Sequence, residues 1–279
     1  NLGGRTRSLV VDITDPSGNT LLAGAVSGGV FRTTDGGLSW RKVSPNDEIH
    51  NVTTIVQDPR PGFQNNWYYG TGEASGNSAS LAGSFYLGRG VFQSNNGGLT
   101  WSQVAGTNSV QEAFDSRFDI VNSLAVHPTT GQLFAAISGS IVRFNGTVWV
   151  GEINNSSGGT NRLTDIVFTS SGRAFAAFSG NSDAAIQGVW TSATGTGAWS
   201  RIASNGNPAA WNSVGRCVLA IAPSAPNLLY ALYVDQAGGT EADLWRWNQN
   251  TNTWTNFSGK LPDEPGGAAG NDPFAVQGG

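Results

Sequence analysis

The stretch Thr33-Thr-Asp-Gly-Gly-Leu-Ser-Trp40 decides how this chain is read, because versions of it return four more times. The next are Ser94-Asn-Asn-Gly-Gly-Leu-Thr-Trp101 and Phe144-Asn-Gly-Thr-Val-Trp149. Ser192-Ala-Thr-Gly-Thr-Gly-Ala-Trp199 and Asn248-Gln-Asn-Thr-Asn-Thr-Trp254 complete the series. The five tryptophans stand 61, 48, 50 and 55 residues apart. Upstream of each lies a short apolar strand that runs into a turn: Leu9–Asp12, Ile55–Asp58, Leu124–His127, Ile166–Thr169 and Leu219–Ala222. A third recurring strand follows each of these, at Leu21–Ala25, Trp67–Gly72, Leu133–Ser138, Ala174–Ser179 and Leu228–Val234.

Each repeat thus reads as four short strands punctuated by Gly, Pro, Asn and Asp turns, with no helical periodicity in any useful window. Four-stranded units at a period of roughly 40–50 residues predict an all-β fold, a β-propeller of antiparallel blades. A β-sandwich is the competing architecture, but it does not account for one motif returning five times in phase. The expected blades cover residues 1–46, 47–107, 108–155, 156–206 and 207–263. Residues 268–279 read as the start of a sixth, so the expectation is the N-terminal part of a ring of six to eight blades, with a closed five-bladed ring as the alternative. The inner strands, buried on both faces, are expected to be small and apolar, and the tryptophans to wedge between blades.

The segment Thr33–Trp40 resembles the Asp-box of BNR-repeat propellers, Ser/Thr-x-Asp-x-Gly-x-Ser/Thr-Trp, through Thr33, Asp35, Gly37, Ser39 and Trp40. Ser94, Gly98, Thr100 and Trp101 repeat it, with Asn96 in place of the aspartate. The resemblance implies a structural role for these residues, the carboxylate or amide accepting backbone N–H bonds in a tight hairpin. Gly3–Arg7 leading into the first strand resembles the opening blade of secreted bacterial sortilin-like propellers. Trp67–Glu73 with Gly88–Trp101 resembles their second blade. That superfamily includes sialidases, double-propeller xyloglucanases, sortilin-type receptors, photosystem assembly factors and modules exported by bacterial secretion systems, type IX among them. Fold does not fix function in such a group.

Composition narrows the classes. The 279 residues carry 15 basic and 19 acidic side chains, a net charge of −4, and only 12% are charged against roughly 25% in an average domain. Without a lysine-rich block, nucleic acid is not an expected partner. No apolar run approaches the about 20 residues of a membrane-spanning helix. Two lysines against thirteen arginines, with abundant Gly, Ser, Thr and Asn, read as an exported surface protein. The absence of methionine and of a signal-peptide pattern gives the expectation that any leader has been removed or left out. One cysteine, Cys217, excludes an internal disulfide and reads as a small buried residue. His50 and His127 are the only histidines, and with His127 in a turn before Pro128 no metal site or cofactor is expected.

Loops sort the candidate functional residues. The A–B and C–D turns are short, whereas the B–C and D–A loops are long and irregular, and variable loops more often carry function. Gly72–Arg89, Gly106–Asp119, Gly151–Arg162, Ser179–Gly188, Ser204–Gly215 and Asp235–Asp243 form this second set. That face offers Arg5, Arg7, Arg89, Arg117, Arg162 and Arg216, whose planar donor forks suit carboxylate, sulfate or phosphate. The same arginines would equally satisfy loop carbonyls and the carboxylates Glu73, Asp119 and Asp165. Phe85, Tyr86, Phe114 and Trp211 are candidate rings for stacking on sugars, or for folding back onto the blades.

The expected partner is a glycan or protein ligand, or the secretion machinery if the chain is exported cargo. A glycoside hydrolase or sialidase-like enzyme on the same face is the alternative, and it needs two acids about 5–9 Å apart. Glu73, Asp119, Asp183, Asp235, Glu241 and Asp243 are available, but no spacing pairs them. The sialidase Phe-Arg-Ile-Pro tetrapeptide is absent, and no catalytic residue is assigned.

Overall fold

In the computed structural model, the residues described are 5–46, 50–74, 85–154, 163–180, 184–213, 215–234 and 242–261. They form five antiparallel four-stranded sheets, each a meander in which consecutive strands are neighbours. The first sheet holds β1 (Thr6–Val11), β2 (Leu21–Ala25), β3 (Gly29–Thr33) and β4 (Arg41–Lys42). The second holds β5 (Val52–Gln57), β6 (Trp67–Thr71), β7 (Val91–Ser94) and β8 (Ser102–Gln103). The third runs through β9 (Val121–Val126), β10 (Leu133–Ile137), β11 (Ser140–Phe144) and β12 (Trp149–Asn154). The fourth is β13 (Leu163–Phe168), β14 (Ala174–Ser179), β15 (Gly188–Ser192) and β16 (Ser200–Ala203). The fifth is β17 (Cys217–Ala222), β18 (Ala225–Val234), β19 (Ala242–Asn248) and β20 (Thr253–Asn256), before a single 3-10 turn at Ser258–Lys260. These are the blades of a β-propeller.

Chain contacts divide the molecule into two compact units. The first contains sheets one and two and most of sheet three; the second contains sheets four and five. In the first unit β1 packs on β5 and β5 on β9, and in the second β13 packs on β17. The expected sixth strand lies outside the described residues, as does Arg162.

The first strands begin earlier than their apolar triplets imply, at Thr6, Val52, Val121 and Leu163. In sheets one, two and three a β-bulge at Arg7, Thr53 and Asn122 interrupts the ladder between polar residues and triplet. A bulge twists the strand and frees backbone groups, and these positions carry no apolar signal. Just beyond the bulge a polar side chain serves the neighbouring sheet. Ile55 N–H donates to Ser8 Oγ at 3.0 Å and Leu124 N–H to Thr54 Oγ1 at 3.2 Å. In the second unit Leu219 N–H donates to Asp165 Oδ2 at 2.8 Å. First strands are sheet edges, whose outward N–H groups need acceptors once buried. Small residues opposite the acceptors let the sheets close: a Cβ on Gly24 would meet Val52 Cγ1 at 2.5 Å, and one on Gly70 would meet Val121 Cγ1 at 2.6 Å.

The residue ending four of the five apolar triplets caps the turn that follows; in the fifth that residue is Ala222. Asp12 Oδ1 accepts from Thr14 N–H, Asp58 Oδ1 from Arg60 N–H, and His127 Nδ1 from the amides of Thr129 and Thr130. Thr169 Oγ1 plays the same part for Arg173 N–H. All four are buried, so local bonding to the turn is what makes their burial tolerable. His127 is thereby a turn residue.

Three of the five hairpin tryptophans reach a neighbouring sheet. Trp101 packs against the cluster that contains Leu22 and Val30 of the first sheet, and meets Tyr69 edge-on. Trp149 and Trp254 reach back to the preceding sheet, donating Nε1–H to Ala105 O at 3.1 Å and Ile202 O at 2.8 Å. Cys217 is buried in the apolar cluster of the second unit, and burial pushes its thiol pKa up.

Candidate functional site

The loop face of the first unit is organised around one buried carboxylate. Glu73, two residues past the end of β6, is 2% exposed, and its Oε2 accepts from Arg5 Nη2 at 3.1 Å and Arg7 Nε at 2.5 Å. Arg5 stands just before β1 and Arg7 at its bulge. A buried charge is costly unless it is paired and hydrogen-bonded, and the two guanidinium groups meet that need. The same pairing takes donors of Arg5 and Arg7 away from any ligand.

A second buried acid lies in the adjoining loop. Asp119 Oδ1 accepts from Ser109 Oγ and Oδ2 from Ser116 N–H at 3.1 Å. Burial pushes the Asp119 pKa up, and these two hydrogen bonds pull it back in part. The loops are knitted through their backbones. Glu73 and Tyr86 exchange N–H···O bonds of 2.8 and 3.1 Å, and Gly88 N–H donates to Asp119 O at 2.7 Å. Gly72 has φ +97°, and a Cβ there would lie 2.0 Å from Asp119 O, so only glycine fits this crossing.

Above this polar frame stand exposed rings. Tyr86 is 43% exposed and Phe114 67%, with Phe85 edge-on to Phe114 at 5.8 Å between centroids. Val110, from the same loop as Phe114, is exposed too. The frame is fixed by ion pairs and backbone bonds, while its surface offers flat apolar area.

Of the candidates named from sequence, Arg5, Arg7, Glu73 and Tyr86 meet in one cluster. Arg89 has its backbone tied into the adjoining strands, through Thr71 Oγ1 and Gln103 Nε2. Arg117 is turned aside: its Nη2 donates to Trp149 O at 3.3 Å and its guanidinium lies 5.2 Å from the Phe118 ring centroid. Arg216 precedes β17 in the second unit. Trp211, offered as an exposed ring, is instead 1% exposed, packed among Tyr233, Trp245 and Trp254, with Nε1–H on Ser213 Oγ at 3.2 Å. Its site is a core: the ring belongs to the apolar cluster of the second unit, and Trp211 N–H bonds Pro208 O. Sequence reasoning missed Ser109 and Val110. The signal available was the spacing of Asp115 and Asp119 after Ser109, which lets both carboxylates turn back on the loop.

Among the described residues no group of three or more His, Cys, Asp and Glu is placed to hold a metal, and no helix is long and apolar enough to cross a membrane.

No protein-family model matches the chain, and no curated protein does. Solved structures do resemble it. An ancestral GH74 enzyme superposes with a TM-score of 0.67 at 20% identity, over 97% of this chain and 32% of the enzyme. The GH74 xyloglucanase of Xanthomonas campestris gives 0.60 at 16% identity, over 97% of this chain and 39% of that one. The extracellular domain of a one-component system from B. thetaiotaomicron gives 0.57 at 14% identity, over 96% and 32% respectively. The chain spans about a third of the length of these proteins, and what it has in common with them is the β-propeller fold.

Proposed function

We propose that this chain is an exported or cell-surface binding module whose loop face, framed by Arg5, Arg7 and Glu73, takes a glycan on the rings of Tyr86 and Phe114. The observation that carries the reading is the pairing of two exposed aromatic rings with a frame held by two ion pairs and by backbone hydrogen bonds. Flat rings on a rigid support stack on the apolar faces of sugars at little entropic cost. The extracellular domain and GH74 likenesses are compatible with an exported, carbohydrate-facing role. The Asp-box reading of Thr33–Trp40 and Ser94–Trp101, the sortilin-like ancestry and a part as secretion-system cargo belong to the same proposal.

A glycan array followed by calorimetry on the full chain tests it. Saturable binding that weakens about tenfold or more in Tyr86→Ala/Phe114→Ala supports the reading, on the scale of about 1–3 kcal/mol that a planar base gains from one aromatic ring. Binding untouched by that double variant overturns the site. The hydrolase alternative draws on Glu73 and Asp119, two acids in adjoining loops, one held by cations and the other pushed up by burial. Release of reducing ends from any array hit, lost in Asp119→Asn, would replace binding with turnover.

A further inference from the structure

The outer strands of the first sheet concentrate positive charge in a chain whose net charge is −4. Arg32 on β3 and Arg41 on β4 are direct cross-strand partners, and the next pair is Phe31 with Lys42. Like charges facing each other across a ladder destabilise it. The residue following the hairpin tryptophan has a different partner elsewhere: Gln93 with Ser102, Thr191 with Ser200, Arg246 with Thr255. In the fifth sheet Arg246 is also covered by the Phe257 ring at 4.6 Å. The first sheet alone among these pairs sets cation against cation.

Nothing described offsets it. Among the described residues no ion pair or side-chain hydrogen bond reaches Arg32, Arg41 or Lys42, and Arg32 Nε is buried without an acceptor. The carboxylate of the same hairpin, Asp35, is taken up by Thr33 Oγ1 and by the amide and hydroxyl of Ser39. The three cations line one cavity of about 680 Å³, together with Trp40 and Thr100. That volume lies within the range of small-ligand sites. Trp40 is held in place by Nε1–H on Gly37 O at 3.0 Å.

We propose that this cavity binds an anionic oligosaccharide, its sulfate or carboxylate groups paired with Arg32 and Arg41 and a sugar face laid on Trp40. Guanidinium forks supply bidentate donors to either anion, and the indole and hydroxyl favour a saccharide over a bare acidic peptide. The site is separate from the Tyr86 loop face and does not depend on it.

The test is calorimetry of the full chain with a heparin-derived octasaccharide, an oligogalacturonate of similar length, a neutral cello-oligosaccharide and an oligoglutamate. The expected result is salt-sensitive binding of a sulfated or uronate ligand, weakened about tenfold or more in Arg32→Gln/Arg41→Gln, the scale of losing charge-assisted hydrogen bonds. The octasaccharide and oligogalacturonate arms tell sulfate from carboxylate. The double variant should melt no lower than wild type, because it relieves repulsion, and Tyr86→Ala/Phe114→Ala should bind the anion as before. Unchanged affinity in the arginine variant, oligoglutamate binding as tightly as the saccharides, or no binding of either anionic sugar would overturn the proposal.

Discussion

At the scale of the residue, Asp35 and Asn96 show one hairpin solved twice. Asp35 Oδ1 accepts from Ser39 N–H at 2.9 Å, and its Oδ2 from Ser39 Oγ at 2.6 Å. In the second sheet Asn96 Oδ1 accepts from Thr100 N–H at 3.0 Å, and the amide donates to Thr100 Oγ1 at 2.8 Å. The hydroxyl reverses its role, so the geometry survives the loss of charge. The Ser39 and Thr33 bonds lower the Asp35 pKa from 3.8 to about 2. A depressed carboxylate pKa contributes stability that is complete above the ordinary value and is lost as pH falls through the folded one. The hairpin should therefore loosen between about pH 4 and pH 2, read as falling protection factors of the Gly37 and Ser39 amides, that is, exchange measured against the intrinsic rate at each pH. Asp35→Asn should keep the hairpin at neutral pH and remove that acid step, whereas Asp35→Ala should lose both acceptors. An Asn variant that opens at neutral pH would break the equivalence. This hairpin was legible in the sequence because each of its side-chain bonds spans four residues or fewer.

At the scale of the element, the contacts that matter most join residues far apart in the chain, and these the sequence announces poorly. Ser8 and Thr54 read as ordinary polar residues at the start of strands, and Asp165 as a partner for the loop arginines. Only the approach of the next sheet turns them into acceptors for Ile55, Leu124 and Leu219. The bulges at Arg7, Thr53 and Asn122 were likewise invisible, since nothing apolar marks them. Thr54→Val keeps the shape but leaves the Leu124 amide without its partner. The expected loss is about 1–3 kcal/mol of unfolding free energy in chemical denaturation, the cost of an orphaned buried donor. Gly70→Ala should destabilise by about 1–3 kcal/mol through overpacking, because its Cβ would lie 2.6 Å from Val121 Cγ1 and 2.9 Å from Thr54 Cγ2. If Thr54→Val is neutral, the side-chain acceptor is dispensable and packing alone holds β5 to β9.

At the scale of the whole molecule, repetition made the fold legible and hid the differences between copies. The in-phase tryptophans and apolar triplets were enough for five four-stranded sheets. The charges were legible as residues but not as partners: Arg7 and Glu73 are 66 positions apart and meet only once two sheets are folded. Of the two readings offered for Trp211 the inward one holds, though an isolated tryptophan in a Pro- and Asn-rich loop gives no sign of turning inward. Copies that look alike in sequence also differ in burial. Ile55, Leu124, Ile166 and Leu219 are 1–4% exposed, whereas Leu9, at the same place in its triplet, is 60% exposed. Burial, not residue type, sets the cost of truncation. Leu124→Ala should cost about 2–5 kcal/mol in denaturant unfolding, and Leu9→Ala within about 0.5 kcal/mol. The comparison is controlled, since both substitutions remove the same atoms from the same strand position. A Leu9→Ala loss that matched Leu124→Ala would mean that in solution this side chain is covered, and the exposure of the β1 face would have to be abandoned.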